Sequence, residues 1–287
     1  MGWIARRLAS IGTRAFCRFT ITLSLILLLS GCATIDYYSQ AVIGQISLLA
    51  KRRTLPDVIA DPATPPAVRE KLSLAIDILH FASEELSLPA DGSYSTFVDI
   101  GRTYVVWNVF AAPELSIDLK SFCYPIAGCV GYRGFFAEPD ARAFAKELAD
   151  GGYDVFVGGV TAYSTLGWFE DPILNTFITR DDVSLAALLF HELAHKAVYV
   201  PGDTEFNESF ATAVEQEALK RWLASRQIPL AFSQYREQVA RQRAVIDLIV
   251  ACRSALAGLY NSGKSDEEMR PAKAELITRL KADYERL

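Results

Sequence analysis

The sequence predicts an α+β fold in which strands dominate the first half of the chain and helices the second. Two observations support this class. Segments rich in β-branched and aromatic residues, divided by glycines, occur between residues 93 and 165, whereas apolar residues after residue 185 recur at helical spacing. A twisted N-terminal sheet followed by a mostly helical C-terminal half is an arrangement of the α+β class.

The residues before this sheet predict two helices and a connector. One helix is expected over Tyr37–Lys51 and another over Val68–Leu86, whose apolar residues follow helical periodicity. Between them, Leu55–Pro66 is rich in proline and aspartate, which indicates a turn-bearing connector. His80 lies on the second helix, where we interpret it as a structural polar residue rather than a ligand.

The sheet is predicted from several short segments. Ser93–Ala111 divides at Gly101 into two expected strands, and Tyr132–Phe136 is expected to extend the same sheet. A helix is expected at Glu138–Ala149, where a pair of glycines follows and stops it. Two further strands should come next, at Tyr153–Val157 and Val160–Thr165.

The second half of the chain predicts a series of helices. The first is expected at Leu185–Val198, and Pro201-Gly202-Asp203 then marks a turn and a helix stop. Asp203 or Thr204 can cap the next helix, expected at Glu205–Arg221. Helices joined by so short a turn must pack side by side. Two long helices should follow, at Phe232–Tyr260 and Asp266–Tyr284.

The motif His191-Glu192-Leu193-Ala194-His195 is the strongest functional signal. Two of the three histidines of the chain stand there one helical turn apart, so both imidazoles can reach one metal ion. Glu192 lies between them and is placed to polarise a metal-bound water, as in metallopeptidases. The alternative is an amphipathic helix that carries two incidental histidines.

Glu208 is the expected third metal ligand. It opens the helix after the turn, and a catalytic zinc site needs three protein ligands and one open position for water. Glu215 follows two turns later on the same face and could accept a hydrogen bond from a ligand histidine. Glu205 and Glu217 point toward other faces. A solvated helix face is the alternative for all four glutamates.

These segments resemble a known group of enzymes. The histidine motif together with Asn207-Glu208-Ser209-Phe210-Ala211 is similar to the gluzincin zinc peptidases, in particular the aminopeptidases related to aminopeptidase N. The twelve-residue spacer between His195 and Glu208 is shorter than is usual in that group. This spacer, the start of the chain and the segment Gly158–Phe169 look like the bacterial putative aminopeptidase family of the same clan.

The resemblance implies a thermolysin-like catalytic domain that hydrolyses peptides. Zn²⁺ would lie on His191, His195 and Glu208, with Glu192 as the general base. An aminopeptidase also needs an acidic group for the free amine of its substrate, for which Glu138, Glu170 and Asp171 are candidates. The alternatives are an endopeptidase with an open cleft and an inactive zinc-binding lipoprotein with a structural or partner-binding role.

Two further roles follow from the resemblance. An oxyanion donor is expected from a later helix, and Tyr235, Tyr260 and Tyr284 are its candidates. An edge strand beside the zinc helix would pair with the extended peptide, because an unpaired edge offers backbone donors and acceptors. Gly158, Gly159 and Tyr163 are the residues expected to contact the substrate there; an internal strand after a glycine turn is the alternative.

The start of the chain predicts export and a lipid anchor. A basic region with four arginines precedes the apolar run Ile21–Leu29, which is too short to span a membrane and resembles a secretory signal. Leu29-Ser30-Gly31-Cys32 resembles the bacterial lipobox, so residues 1–31 would be removed and Cys32 lipidated; a plain signal peptide is the alternative. Ala33 then favours the outer membrane of a Gram-negative bacterium, with the protein facing the periplasm.

Cysteine usage and charge agree with this location. Cys123 and Cys129 bracket a short loop that could close a disulfide in an oxidising compartment, although two reduced thiols are also possible. Cys252 has no obvious partner. The net charge of −5 argues against nucleic acid as a partner. Residues 32–287 are expected to form a single domain.

Overall fold

The computed structural model describes residues 37–90, 92–124, 128–161 and 171–287. The chain divides into two compact units, Met1–Ala50 and Lys51–Leu287. The described part of the first unit is one helix, α1, over residues 37–50, as the sequence predicted. Predictions for the signal segment, Cys32, Tyr163 and Glu170 fall outside the described residues. Among the described helices, none has the length and apolar character needed to cross a lipid bilayer.

The second unit combines short strands with helices. Its strands are β1 (Arg53–Thr54), β2 (Thr96–Val98), β3 (Val106–Pro113), β4 (Phe122–Tyr124), β5 (Gly128–Val130), β6 (Tyr132–Phe135), β7 (Tyr153–Val160) and β8 (Ile173–Leu174). Its helices are α2 (Leu55–Ala60), α3 (Pro66–Leu86), α4 (Glu138–Asp150), α5 (Asn175–Ile178), α6 (Asp182–Ala197), α7 (Thr204–Ser225), α8 (Leu230–Tyr260) and α9 (Asp266–Glu285). This composition is α+β in general, and every long helix predicted after residue 185 is present.

The described strands form three small sheets rather than one. Their orders are β1-β2-β8, β6-β3-β7 and β4-β5. The two strands predicted within Ser93–Ala111 exist, but β2 and β3 belong to different sheets. The chain changes direction between them at Gly101, whose φ is +66°, a conformation that favours glycine. Arg102 fixes the bend, because its guanidinium donates to the backbone carbonyls of Val105 and Phe136.

The strand β7 runs through Gly158 and Gly159, where a break between two strands was predicted, and residues 162–165 of the second predicted strand lie outside the described residues. The strand β7 pairs with β3 over its full length, and Gly158 and Gly159 lie opposite Asn108 and Trp107. The glycines are extended here and do not form a turn. A side chain at Gly159 would meet the ring of Tyr104 at 2.4 Å, so glycine allows a close approach of this ring to the strand.

The prediction of a connector at Leu55–Pro66 is also wrong in part, because this segment contains the helix α2. Thr54 caps this helix by accepting a hydrogen bond from the Asp57 amide at 3.3 Å. A proline in the first turn is compatible with a helix start, and Leu55 and Val58 are buried. Proline was therefore a start signal here rather than a breaker.

The hairpin β4-β5 carries a disulfide between Cys123 and Cys129, with an S–S distance of 2.00 Å. Cys252 is a partly buried free thiol on α8, near α9. His80 is exposed on α3. These residues lie in elements other than the pair of helices that carries the candidate site.

Helix α6 is the central element of the second unit. One face is buried in the core, with Leu185, Leu189, Phe190 and Leu193 all nearly inaccessible. Asp181 caps the N-terminus of α6 by accepting from the Ser184 amide at 2.9 Å. Helix α7 packs along α6, and α3 and α8 also contact it. The remaining face of α6 is left to line a cleft.

Candidate metal centre

Two helices bring His191, His195 and Glu208 together. The rings of His191 and His195 lie one turn apart on α6, with centroids 4.9 Å apart. Glu208 on α7 faces both: its carboxylate oxygens lie 3.4 Å from His191 Nε2 and 3.6 Å from His195 Nε2. One ligand atom from each residue fits within a group whose members are all within 4.8 Å of one another.

The loop between α6 and α7 fixes the position of Glu208. Asp203 caps α7 by accepting a hydrogen bond from the Phe206 amide at 3.0 Å. The side-chain amide of Asn207 makes two hydrogen bonds of 2.8 Å to Val200, one accepted from its N–H and one donated to its carbonyl. Asn207 is buried, so this clamp holds the first turn of α7 against the loop.

Glu215 and Tyr235 hold the outer nitrogen of His191. Glu215 Oε2 lies 2.9 Å from His191 Nδ1, and the hydroxyl of Tyr235 on α8 donates a hydrogen bond to Glu215 Oε1. With Nδ1 bonded to Glu215, Nε2 is the nitrogen that remains for a ligand role. The hydrogen bond to Glu215 raises the pKa of His191.

His195 has a different environment. Its Nδ1 is buried and has no hydrogen-bond partner among the described residues. Burial, followed by the nearby His191, lowers the pKa of His195. Both features favour the neutral ring, which is the form that binds metal ions.

Glu192 is the acidic residue between the two histidines. Burial raises its pKa, and the negative charges of Asp171 and Glu208 raise it further, against the opposing effect of His191. A carboxylate with a raised pKa exchanges protons more readily near neutral pH, which suits a general base.

A comparison with protein families adds to this geometry. The model of the family described as "Putative aminopeptidase" matches residues 36–287. The chain belongs to the putative aminopeptidase family. The match includes every residue of the metal-ligand group and both residues that hold His191. Searches of curated proteins and of solved structures found no match.

The structure places Tyr94 near the candidate site of this aminopeptidase family member. The sequence did not predict this. Tyr94 is buried, and burial, then the charges of Glu192 and Asp171, raise its pKa. Its backbone has φ +59°, and its N–H donates to the Asp171 carbonyl at 2.7 Å. The preceding Ser93 accepts a hydrogen bond of 2.9 Å from Lys196. The turn signal Asp91-Gly92 was the only sequence hint, because nothing in the spacing links residue 94 to α6.

The other predicted site residues divide into two groups. Tyr235 and Asp171 are the oxyanion and amine candidates that the structure brings into range of Glu215 and Glu192, respectively. The other candidates that the structure describes lie elsewhere: Tyr260 interacts with Lys273, Tyr284 is exposed, and Glu138 pairs with Arg142 on α4.

The predicted substrate strand is an edge strand among the described residues. The strand β7 pairs with β3 on one side and ends the order of its sheet. Its contact with the segment before α6 is made at Thr161, beyond Gly158 and Gly159, where Thr161 accepts hydrogen bonds from Thr176 and Arg180. The position of β7 at the edge of its sheet is therefore compatible with the predicted substrate pairing at its C-terminal end. Gly159 leaves room for the ring of Tyr104, whereas a side chain at Gly158 would meet the ring of Phe156 at 3.0 Å.

A cleft of about 270 Å³ adjoins the metal-ligand group. Helix α6 forms one wall and α8 the other. The lining residues are Arg180, Ser184, Ala187, Leu188, His191, Glu192, Glu215, Tyr235, Gln238, Val239 and Gln242. The general-base candidate thus has access to a space that could hold a small substrate.

Proposed function

We propose that this member of the aminopeptidase family is a zinc-dependent aminopeptidase with Glu192 as its general base. The observation that carries the proposal is the convergence of His191, His195 and Glu208 within 4.8 Å, with Glu192 lining the adjoining cleft. A structural zinc site is usually closed by four protein ligands, whereas a set of three leaves a position for water.

The donor atoms fit zinc. Zinc–ligand bonds of about 2.0 to 2.2 Å in a tetrahedral arrangement place donor atoms about 3.3 to 3.6 Å apart. The two Nε2–carboxylate distances are 3.4 Å and 3.6 Å. The orphaned, buried Nδ1 of His195 and the bonded Nδ1 of His191 both leave Nε2 facing Glu208.

The residues around this group have separate tasks in peptide hydrolysis. Zinc, when bound, would supply a lowered water pKa and a polarised substrate carbonyl. Glu192 accepts the proton of the attacking water and later delivers it to the leaving amine. Glu215 holds the His191 ring in place, and Tyr235 holds Glu215. Because the Tyr235 hydroxyl is already bonded to Glu215, we assign it this positioning role rather than the oxyanion.

Asp171 is the residue we assign to the free amine of the substrate. It is the only one of the three amine candidates in the described structure that acts electrostatically on Glu192. A carboxylate near the base would place the ammonium group one residue away from the cleaved bond. A thermolysin-like arrangement and an anchor at Cys32 on the periplasmic face of the outer membrane complete the proposal, supported by the sequence.

The test compares Glu192→Gln with the wild type. The variant should bind the same amount of zinc but lose about 100- to 10,000-fold in turnover, the range typical of a lost general base. Glu217→Gln is the matched control, because Glu217 is an exposed α7 residue paired with Arg221. Equal activity of Glu192→Gln and the wild type would refute the enzymatic role.

The same preparations separate the kinds of peptidase. Peptides with a free amine should be cleaved and their N-acetylated forms should not, and Asp171→Asn should weaken this preference. Equal cleavage of both forms by the wild type would favour an endopeptidase. The products should be identified by mass spectrometry, so that release of the first residue is observed directly.

A further inference from the structure

The cleft beside the metal-ligand group runs along two helices. On α6 its residues Ser184, Ala187, Leu188 and His191 follow the spacing of a single helix face. On α8 the residues Tyr235, Gln238, Val239 and Gln242 repeat the same spacing. The cleft is therefore a short groove between two parallel ridges, with the candidate metal ligands toward the C-terminal end of α6.

The two ends of the groove differ in charge. Glu192 and Glu215 lie at the catalytic end, and Arg180 lies at the other end, just before α6 begins. Arg180 is the only lysine or arginine among the lining residues. A peptide has the matching polarity, since its amino end is cationic and its carboxyl end anionic.

The structure fixes the backbone of Arg180 and leaves its guanidinium open to a ligand. The Arg180 carbonyl accepts a hydrogen bond of 2.6 Å from Lys71, and its N–H donates to the Phe177 carbonyl at 3.2 Å. The guanidinium has one long contact, 3.4 Å, to the Thr161 hydroxyl. In the described parts of the chain, no carboxylate lies within ion-pair distance of it. Most of its five N–H donors can therefore bind an anion.

The neighbouring acidic residues do not compete for this position. Asp181 caps α6, and Asp182 pairs with Lys71 at 2.6 Å. Neither of them lines the groove. The N-terminus of α6 also carries a partial positive charge, which favours an anion at this end.

The length of the groove limits the substrate. His191 lies seven positions after Ser184 on the helix, which corresponds to about 10 Å along the axis. An extended peptide covers about 3.3 to 3.6 Å per residue, so about three residues fill this distance. The volume of about 270 Å³ lies at the lower limit of small-molecule pockets. A long chain would have to leave the groove past Arg180.

From these contacts we infer that the substrates are short peptides whose free C-terminal carboxylate is bound by Arg180, about two or three residues beyond the cleaved bond. The side-chain amides of Gln238 and Gln242, one turn apart on α8, can bind the peptide groups between the two ends. The inference rests on the proposed peptidase function and adds its substrate class. Arg180 would thus be a specificity-determining residue.

The experiment compares tetra-alanine with its C-terminal amide. The wild type should prefer the free acid by about 10- to 100-fold in kcat/KM, the effect expected of a charge-assisted hydrogen bond. Arg180→Gln should reduce this ratio to near one, and Arg180→Lys should keep part of it. Arg243→Gln is the matched control, because Arg243 lies on α8, is exposed and pairs with Asp247 outside the groove. An unchanged ratio in Arg180→Gln, or a wild-type ratio near one, would overturn the inference.

A binding measurement separates this inference from the peptidase proposal. Calorimetry on the metal-free full chain should show the same preference for tetra-alanine over its amide, and Arg180→Gln should lose it. If neither peptide is cleaved but the binding preference is present, the peptidase proposal is refuted and the carboxylate site is retained. Cleavage of both peptides at equal rates, with equal affinities, would refute the carboxylate site and keep the peptidase.

Discussion

The two histidines of one motif are held in unlike ways. Nδ1 of His191 is hydrogen-bonded to Glu215, and Glu215 accepts a hydrogen bond from Tyr235. Residues of three helices therefore hold one imidazole. The corresponding nitrogen of His195 has no such support among the described residues. The orientation of His191 therefore depends on α7 and α8, whereas Nδ1 of His195 receives no hydrogen bond from either helix.

The first prediction concerns Glu215. Glu215→Gln should weaken zinc binding by about 10- to 100-fold, because the carboxylate that orients a ligand histidine and increases its basicity is lost. Competition with a chromophoric chelator measures the affinity. Glu217→Gln, on the same helix but exposed, should bind zinc as the wild type does. Equal affinities in both variants would mean that Glu215 plays no part in metal binding.

The sequence carried most of the information about the candidate ligand residues themselves. Helical spacing dictates that residues 191 and 195 share a face, and a short turn forces the next helix alongside. Such relations are local and need no knowledge of the rest of the chain. Tyr94 and Arg180 were missed because they reach the site through contacts with segments far away in the sequence, which no local pattern encodes.

At the scale of elements, the helical hairpin α8–α9 stands out for its sparse apolar burial. No residue of α8 is buried, and Met269 is the only buried residue of α9. Its attachment to the sheet is ionic instead. Arg270 pairs with Glu114 at 2.9 Å, just beyond β3, and Lys273 pairs with Asp154 on β7.

The second prediction is that the attachment of α9 weakens at acid pH and at high salt. The hydrogen bond from Arg270 lowers the pKa of Glu114 below its ordinary value of 4.5. A lowered pKa in the folded state means that the stabilisation is complete above pH 4.5 and is lost as the pH falls through the folded value. The protection of α9 amides against hydrogen exchange, measured relative to the intrinsic exchange rate at each pH, should therefore decrease below pH 4.5, and also at 1 M salt, where exposed pairs are screened.

Glu114→Gln supplies the control for this prediction. In this variant the pH dependence of protection in α9 should be smaller, because the titrating partner of Arg270 is absent. Protection in α6, whose face is buried in the core, should not respond in either protein. A pH response of α9 that is the same in both proteins would exclude Glu114 as its origin.

The elements also show where sequence patterns fail. Helices were predicted correctly because their periodicity is local, whereas the strands were assigned to one sheet although β2 and β3 lie in two. Pairing of strands depends on partners distant in sequence: β2 pairs in parallel with β8, more than seventy residues later. Gly158-Gly159 was expected to separate two strands, but β7 runs through both glycines, and Gly159 leaves room for the ring of Tyr104.

For the whole molecule, the proposed location depends on residues before α1. The third prediction is that Cys32→Ser abolishes lipid attachment and releases the protein from the membrane fraction. Stable anchoring needs several acyl chains, and in the proposal all of them depend on Cys32. Metabolic labelling with a fatty acid and fractionation of the envelope measure both effects. Cys252→Ser, which changes an internal thiol, should remain attached; membrane retention of Cys32→Ser would refute the anchor.

The clamp made by Asn207 has a consequence for the order of events in this molecule. Both of its hydrogen bonds join protein groups, so the loop between α6 and α7 is closed without help from any ion. The entropy of closing that loop is therefore lost during folding and would not be lost on the proposed metal binding. If a cation binds there as proposed, it would meet three donor groups whose atoms already lie within 4.8 Å of one another, and its affinity would not be reduced by the free energy of assembling them.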